Sequence, residues 1–448
     1  MRCGLFRLSV LLICLLGCST RPYGAARSVL LTDARQSNVG WHGAVATVHP
    51  LATKAGIEAL NRHGNAVDAA VAAALTLGVV DPSTSGIGGG CFILIRRSDG
   101  SLLAIDGRET APTKATRDMY VRVGKVDRRL SKIGALAIGV PGSLAAYDYA
   151  LQQYGNLKLE QLLLEAADLA EKGFPINAYF VTKLEGAADD LAGFQASRAI
   201  FLAANGKAWP EGHILKQPNL AHTYRQIARG GIGWFYGGPF ASAAESWMQS
   251  NGGILTAEDF ANYRLEFRQP VVSTYHEYTI IGFGPPSAGG PHVAQILNIL
   301  EHFDLRKLQN QNPYKRLHVI AEAMKIVFAD RAYWLGDPSF TKVPRGLIDK
   351  GYAKRLADRI NLEKVTVVSR HSTPPRVDND VFDQKHTTHI AAADAHGNWV
   401  AITTTINLPF GSKVVIPGTG VLMNNQMDDF VAQPGVPNAF GLARIFHE

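Results

Sequence analysis

The sequence predicts a mixed α/β (α+β) protein, and three observations carry that prediction. At 448 residues, 46% hydrophobic and 19% charged, the chain can bury a large core and is not disordered; the length suits one large α/β domain or two to three smaller ones. Long segments place alanine and leucine at helical spacing. Between them, and above all after Thr387, lie short apolar runs bounded by glycine-containing turns, which read as strands.

Taken in order, "ATKAGIEALNRHGNAVDAAVAAALTLGVVDP" predicts two helices broken at Gly64-Asn65, so rich in alanine that close packing against a sheet is expected. "SGIGGGCFILIRR" is a glycine turn running into a strand. "GSLLAIDGRETAP" is a second strand with a polar end at Asp106, Arg108 and Glu109. "GVPGSLAAYDYALQQYG" opens a helix on a tight turn, and "LEQLLLEAADLAEKGFPI" is an amphipathic helix closed by Gly173 and Pro175. Thr256 and Asp259 form a capping box. "PVVSTYHEYTIIGFGPP" predicts two strands, and "SAGGPHVAQILNILEHF" and "RLHVIAEAMKIVFADRAYWLGDP" predict helices. The polar stretch from Arg370 to Lys385, with Pro374-Pro375, reads as an exposed, cleavable loop. "THIAAAD", "AHGN" and "WVAITTTIN" then read as strand, turn and strand.

Residues 1–18 have the layout of a signal peptide: Arg2 and Arg7, an apolar run from Leu8 to Leu16, then Gly17-Cys18. That run is too short for a permanent membrane span. Leu15-Leu16-Gly17-Cys18 also resembles a bacterial lipobox, in which Cys18 is lipidated and anchors the protein; plain export is the other reading. Either way the expected location is the periplasm or the bacterial envelope. Residues 19–42 read as a linker. Of the four cysteines, only Cys91 lies beyond the signal region, so no disulfide framework is expected, and Cys91 reads as a buried, inert thiol. The net charge of +7 is scattered, with nothing denser than pairs such as Arg96-Arg97 and Arg128-Arg129, and is no nucleic-acid footprint.

Several motifs fail on their chemistry. Gly86–Gly90 lacks phosphate-loop spacing and precedes a strand, so close backbone approach explains it better. His386 and His389 would point to opposite faces of a strand and make no metal pair. No GxSxG elbow is present. Thr387 is different. Inside a chain its hydroxyl has no base. Exposed by a cut after His386, it would carry an α-amine with a pKa near 7.7–8.0, able to take the hydroxyl proton.

"TTHIAAADAHGNWVAITTTINLPFG" and "GVLMNNQMDDF", with "IDGRETAP", "SGIGGG", "GVPGS", "PPSAGG" and "QPGVPNAFGL" in the same order, resemble the γ-glutamyltranspeptidase (glutathione hydrolase) family from about Gly43 to Leu442. The resemblance implies an N-terminal nucleophile hydrolase fold, a four-layer αββα sandwich. It implies a precursor that cuts itself at His386/Thr387 into a large subunit, residues 43–386, and a small subunit beginning with residues 387–448. Thr387 would be the nucleophile and Thr405 its hydrogen-bond partner. Arg108 would bind the substrate's α-carboxylate. Asp429, with Gln426 and Asn407 beside it, would bind the α-ammonium. Substrates would be glutathione and other γ-glutamyl compounds, with water or an acceptor amino acid or dipeptide resolving a γ-glutamyl ester. No metal or cofactor is implied. Family small subunits continue beyond "FGL" with a serine pair and a Gly-Gly oxyanion turn, so the C-terminal part is expected to be missing here. The alternatives are a cephalosporin-acylase-like amidase and a non-catalytic remnant.

Overall fold

The computed structural model describes residues 43–376, 388–430, 432–433 and 438–439. The signal segment, Cys18, the linker, residues 377–385, His386 and Thr387 therefore lie outside the described residues. The main elements, in chain order, are β1 (Gly43–Ala46), α1 (Pro50–Asn61), α2 (Ala66–Val80), β2 (Gly90–Arg96), β3 (Leu102–Gly107), α3 (Ser143–Tyr154), α4 (Leu159–Lys172), β4 (Glu266–Arg268), β5 (Val271–Tyr275), β6 (Tyr278–Gly282), α5 (Pro291–Leu300), α6 (Pro313–Trp334), α7 (Lys350–Ala357), β7 (Thr388–Asp394) and β8 (Trp399–Thr405).

One antiparallel sheet organises the fold, with strand order β1-β7-β8-β2-β3-β4. Its side chains alternate as the pleat requires. Ile93, Ile95, Ile390, Val400 and Ile402 all face the main core. Each such buried side chain is worth about 1.5–3 kcal/mol of transfer free energy. Every residue of α2 is buried, because its alanines let the helix lie close against α1 and strands β7 and β8. The predicted break at Gly64-Asn65 is a full cap: Asn65 receives Val67 N at 2.7 Å, and Asp68 receives Asn65 N at 2.7 Å. The Thr256–Asp259 capping box forms as expected.

On the opposite face, Phe283, just past β6, stacks on Phe92 with ring centroids 4.3 Å apart. Helix α5 packs on the β5–β6 ribbon, and α5, α6 and α7 share a second core with Val271 of β5. The layers thus run helix, sheet, ribbon, helix. Among the described residues the second β layer is this two-stranded ribbon alone.

Candidate active site

Antiparallel pairing brings four chain segments to one end of the sheet: the start of β7, the end of β8, the start of β2 and the end of β3. Thr388 pairs with Thr404, Thr405 with Gly90, and Cys91 with Gly107. Thr388, the first residue of β7, thus sits one position from Thr405 in register. Thr404 points into the core, where its hydroxyl meets Tyr147 Oη at 2.9 Å and Gly90 O at 3.3 Å. Thr405, at opposite parity, faces the other way.

Glycines 88 to 90 make this convergence possible. A Cβ on Gly88 would lie 2.1 Å from Leu422 O, and one on Gly89 would lie 2.0 Å from Thr405 O. The close backbone approach expected from the sequence is what these glycines provide.

Arg108 leaves the end of β3 and donates from Nη2 to Asp429 Oδ2 at 2.8 Å. Gln426 Nε2 donates to the same carboxylate oxygen at 2.7 Å. The Arg108 guanidinium lies 5.6 Å from the Phe92 ring centroid, an arrangement that favours a cation. Burial pulls its pKa down, but the carboxylates of Asp429, Glu109 and Asp106 outweigh burial and leave it above the ordinary value. Tyr263 Oη fixes the backbone by donating to Arg108 O at 2.7 Å, and Asp106 accepts Arg108 N at 3.0 Å while pairing with Arg268 at 3.0 Å.

Thr405 Oγ1 accepts Asn407 N at 2.8 Å. Asn407 does not continue the strand, contrary to the reading of "WVAITTTIN" as a strand through to Asn407. Strand β8 ends at Thr405, and Asn407 has φ +76°, a left-handed conformation that asparagine tolerates better than most residues. Its side chain turns away and donates to Asn425 O at 2.9 Å. Asn425 in turn accepts Leu408 N at 3.0 Å, next to Gln426. The structure therefore brings Arg108, Thr405, Asn407, Gln426 and Asp429 into one connected group, while Thr387 lies outside the described residues.

Sequence reasoning missed two participants. Asn424 bridges the glycine turn to the site, donating to Gly88 O and Gly139 O, each at 2.8 Å. Glu109 buries a carboxyl beside Arg108 with no hydrogen-bond partner on either oxygen. The only hint of either was adjacency: Glu109 follows Arg108 in "DGRETAP", and Asn424 opens "NNQMDDF".

The Gamma-glutamyltranspeptidase family profile matches residues 52–446. The chain is 42% identical over 403 residues to the glutathione hydrolase proenzyme of Escherichia coli K12, covering 89% of this chain and 69% of that protein. The gamma-glutamyltranspeptidase structure from Helicobacter pylori superposes with TM-score 0.70 at 41% identity, covering 73% of this chain and 94% of that one. A cephalosporin acylase structure from Bacillus halodurans superposes with TM-score 0.78 at 30% identity, covering 88% and 71%.

Proposed function

Because the chain belongs to the gamma-glutamyltranspeptidase family, with the N-terminal nucleophile hydrolase fold of its structural relatives, we propose that it is a γ-glutamyltransferase and glutathione hydrolase whose site is the group around Arg108 and Asp429. The observation that carries this reading is a guanidinium and a carboxylate side by side, at the strand ends where Thr405 sits. Together they match the α-carboxylate and α-ammonium of a γ-glutamyl group, and a guanidinium pairs naturally with a carboxylate.

In this reading the precursor is cut between His386 and Thr387, giving a large subunit from residues 43–386 and a small subunit that starts at residue 387. The Thr387 hydroxyl attacks the γ-carbonyl carbon of glutathione, and its own α-amine takes the hydroxyl proton. The amide C–N bond breaks as that proton passes to the departing cysteinylglycine amine. The resulting γ-glutamyl ester is resolved by water to glutamate, or by an acceptor amine to a new γ-glutamyl amide. Thr405, its oxygen already engaged by Asn407 N, has its O–H left to steady the nucleophile. Export directed by residues 1–18, with Cys18 as lipid anchor, would place the reaction in the bacterial envelope.

The acylase reading, raised by the Bacillus halodurans likeness, is less favoured. A substrate without an α-ammonium makes no use of the Asp429 carboxylate, which then stays paired with Arg108 and adds no selectivity.

The test is a denaturing gel with N-terminal sequencing. Two fragments are expected, the smaller beginning at Thr387, and Thr387→Ala should abolish both cutting and glutathione hydrolysis. Activity from an uncut chain would refute the mechanism.

A further inference from the structure

Glu109 is the one carboxyl at this site that no other described residue satisfies by a hydrogen bond. Both of its oxygens are buried and without a hydrogen-bond partner. Its carboxyl rests against Gly90, the residue paired with Thr405: a Cβ on Gly90 would meet Glu109 Oε2 at 2.3 Å. The donors nearby are committed elsewhere. Tyr263 Oη donates to Arg108 O, Tyr236 Oη to Pro141 O and Tyr147 Oη to Thr404. The Arg108 guanidinium goes to Asp429. A second orphan acceptor is the buried Oε1 of Gln426, whose Nε2 donates to Asp429 at 2.7 Å. An unsatisfied buried acceptor is costly, and such a group in a native site calls for an explanation.

Resting on the γ-glutamyl reading above, we propose that Glu109 is a further substrate-positioning residue, whose carboxylate accepts a hydrogen bond from the α-ammonium of the γ-glutamyl group alongside Asp429 and Gln426 Oε1. An ammonium has three N–H donors and no acceptor. Asp429, Gln426 and Glu109 present three acceptors, two of them otherwise idle. Arg108, between Glu109 and Asp429 in charge, is then released to the α-carboxylate.

The electrostatics agree with this geometry. The groups acting on Glu109 are Arg108 beside it, its own backbone N–H, Asp429, and Asp106 on β3; it acts in turn on Cys91 of β2, Tyr147 of α3, Tyr236 and Tyr263. Arg268 is bound to Asp106. Burial, opposed by Arg108, pushes the Glu109 pKa up to about 7. An arriving ammonium favours the carboxylate, so binding below that pH drives the Glu109 proton into solvent.

The experiment compares wild type with Glu109→Gln on glutathione from pH 5.5 to 9. The expected result is a KM raised about 10–100-fold, the scale of one hydrogen bond between charged partners, with kcat changed far less and a pH limb near 7 in kcat/KM lost. An unchanged KM and an unchanged limb would overturn the proposal and leave Glu109 a structural carboxyl. If Glu109→Gln does not fold, calorimetry of wild type in two buffers decides. Near pH 6, L-glutamate should release close to one proton, and glutarate, which lacks the amine, should release none; equal release from both overturns the inference. Wild type that neither hydrolyses glutathione nor binds L-glutamate would sink the γ-glutamyl reading itself. Intact turnover with a silent Glu109→Gln would sink this inference alone.

Discussion

Arg108 and Asp429, 321 residues apart in sequence, hold each other across 2.8 Å in a largely desolvated site. In the γ-glutamyl reading proposed above, a zwitterionic substrate opens this pair, exchanging one internal ion contact for two with itself. A ligand carrying only one of the two charges strands the other protein group. Removing one member of a buried pair leaves an uncompensated charge, whereas removing both does not. Arg108→Gln and Asp429→Asn should therefore each lower kcat/KM for glutathione about 10²–10³-fold, while the double variant loses clearly less than the product. A double-mutant cycle should return a coupling of about 1–3 kcal/mol. Strict additivity would mean that the two groups act independently.

Glu109 should also mark the stability curve. Its folded pKa of about 7 lies above the ordinary 4.5, so between those values the folded state holds more protons than the unfolded one, and stability falls as pH rises through that window. Full expression of that shift is about 3 kcal/mol. Urea unfolding of wild type and Glu109→Gln should diverge from pH 5 to pH 8, with the glutamine variant gaining on wild type as pH rises.

Lys413 predicts the opposite slope. Its ammonium is enclosed by the carbonyls of Pro409 and Gly411, at 2.8 and 2.9 Å, in a loop where Asn407, Phe410, Gly411 and Lys413 all take positive φ. Burial lowers its pKa to about 8. Between pH 8 and 10.5 the unfolded state holds more protons, so this group adds stability as pH rises, again by about 3 kcal/mol at full expression. Lys413→Met should flatten that rise in the same unfolding assay. It should also weaken activity, because the loop carries Asn407.

Gly89→Ala tests the glycine turn as packing. The added methyl would meet Thr405 O at 2.0 Å. Backbone on both sides cannot yield cheaply, so a loss of more than about 3 kcal/mol is expected. A folded, active Gly89→Ala by circular dichroism and turnover would remove the steric role given to this turn.

Much of the fold was legible because its signals are local. The break at Asn65, the cap at Thr256 and the strand-turn-strand from Thr388 to Thr405 follow from side chains acting within a few residues. Thr404 and Thr405 lie on opposite faces, as the pleat requires. The strand reading failed at Asn407, because a strand's end depends on where the next segment must go, and here Asn425 draws the chain back.

The sequence by itself determined the elements, the family resemblance and the charged residue types expected at the site. Only the tertiary structure decided that Arg108 and Asp429 satisfy each other, that three glycines admit Leu422, Thr405 and Glu109 to one place, and that the Glu109 carboxyl is left unsatisfied. The reason is physical. Periodicity and capping are short-range properties carried by neighbouring residues, whereas desolvation and pairing depend on which distant segments share a volume from which water has been expelled.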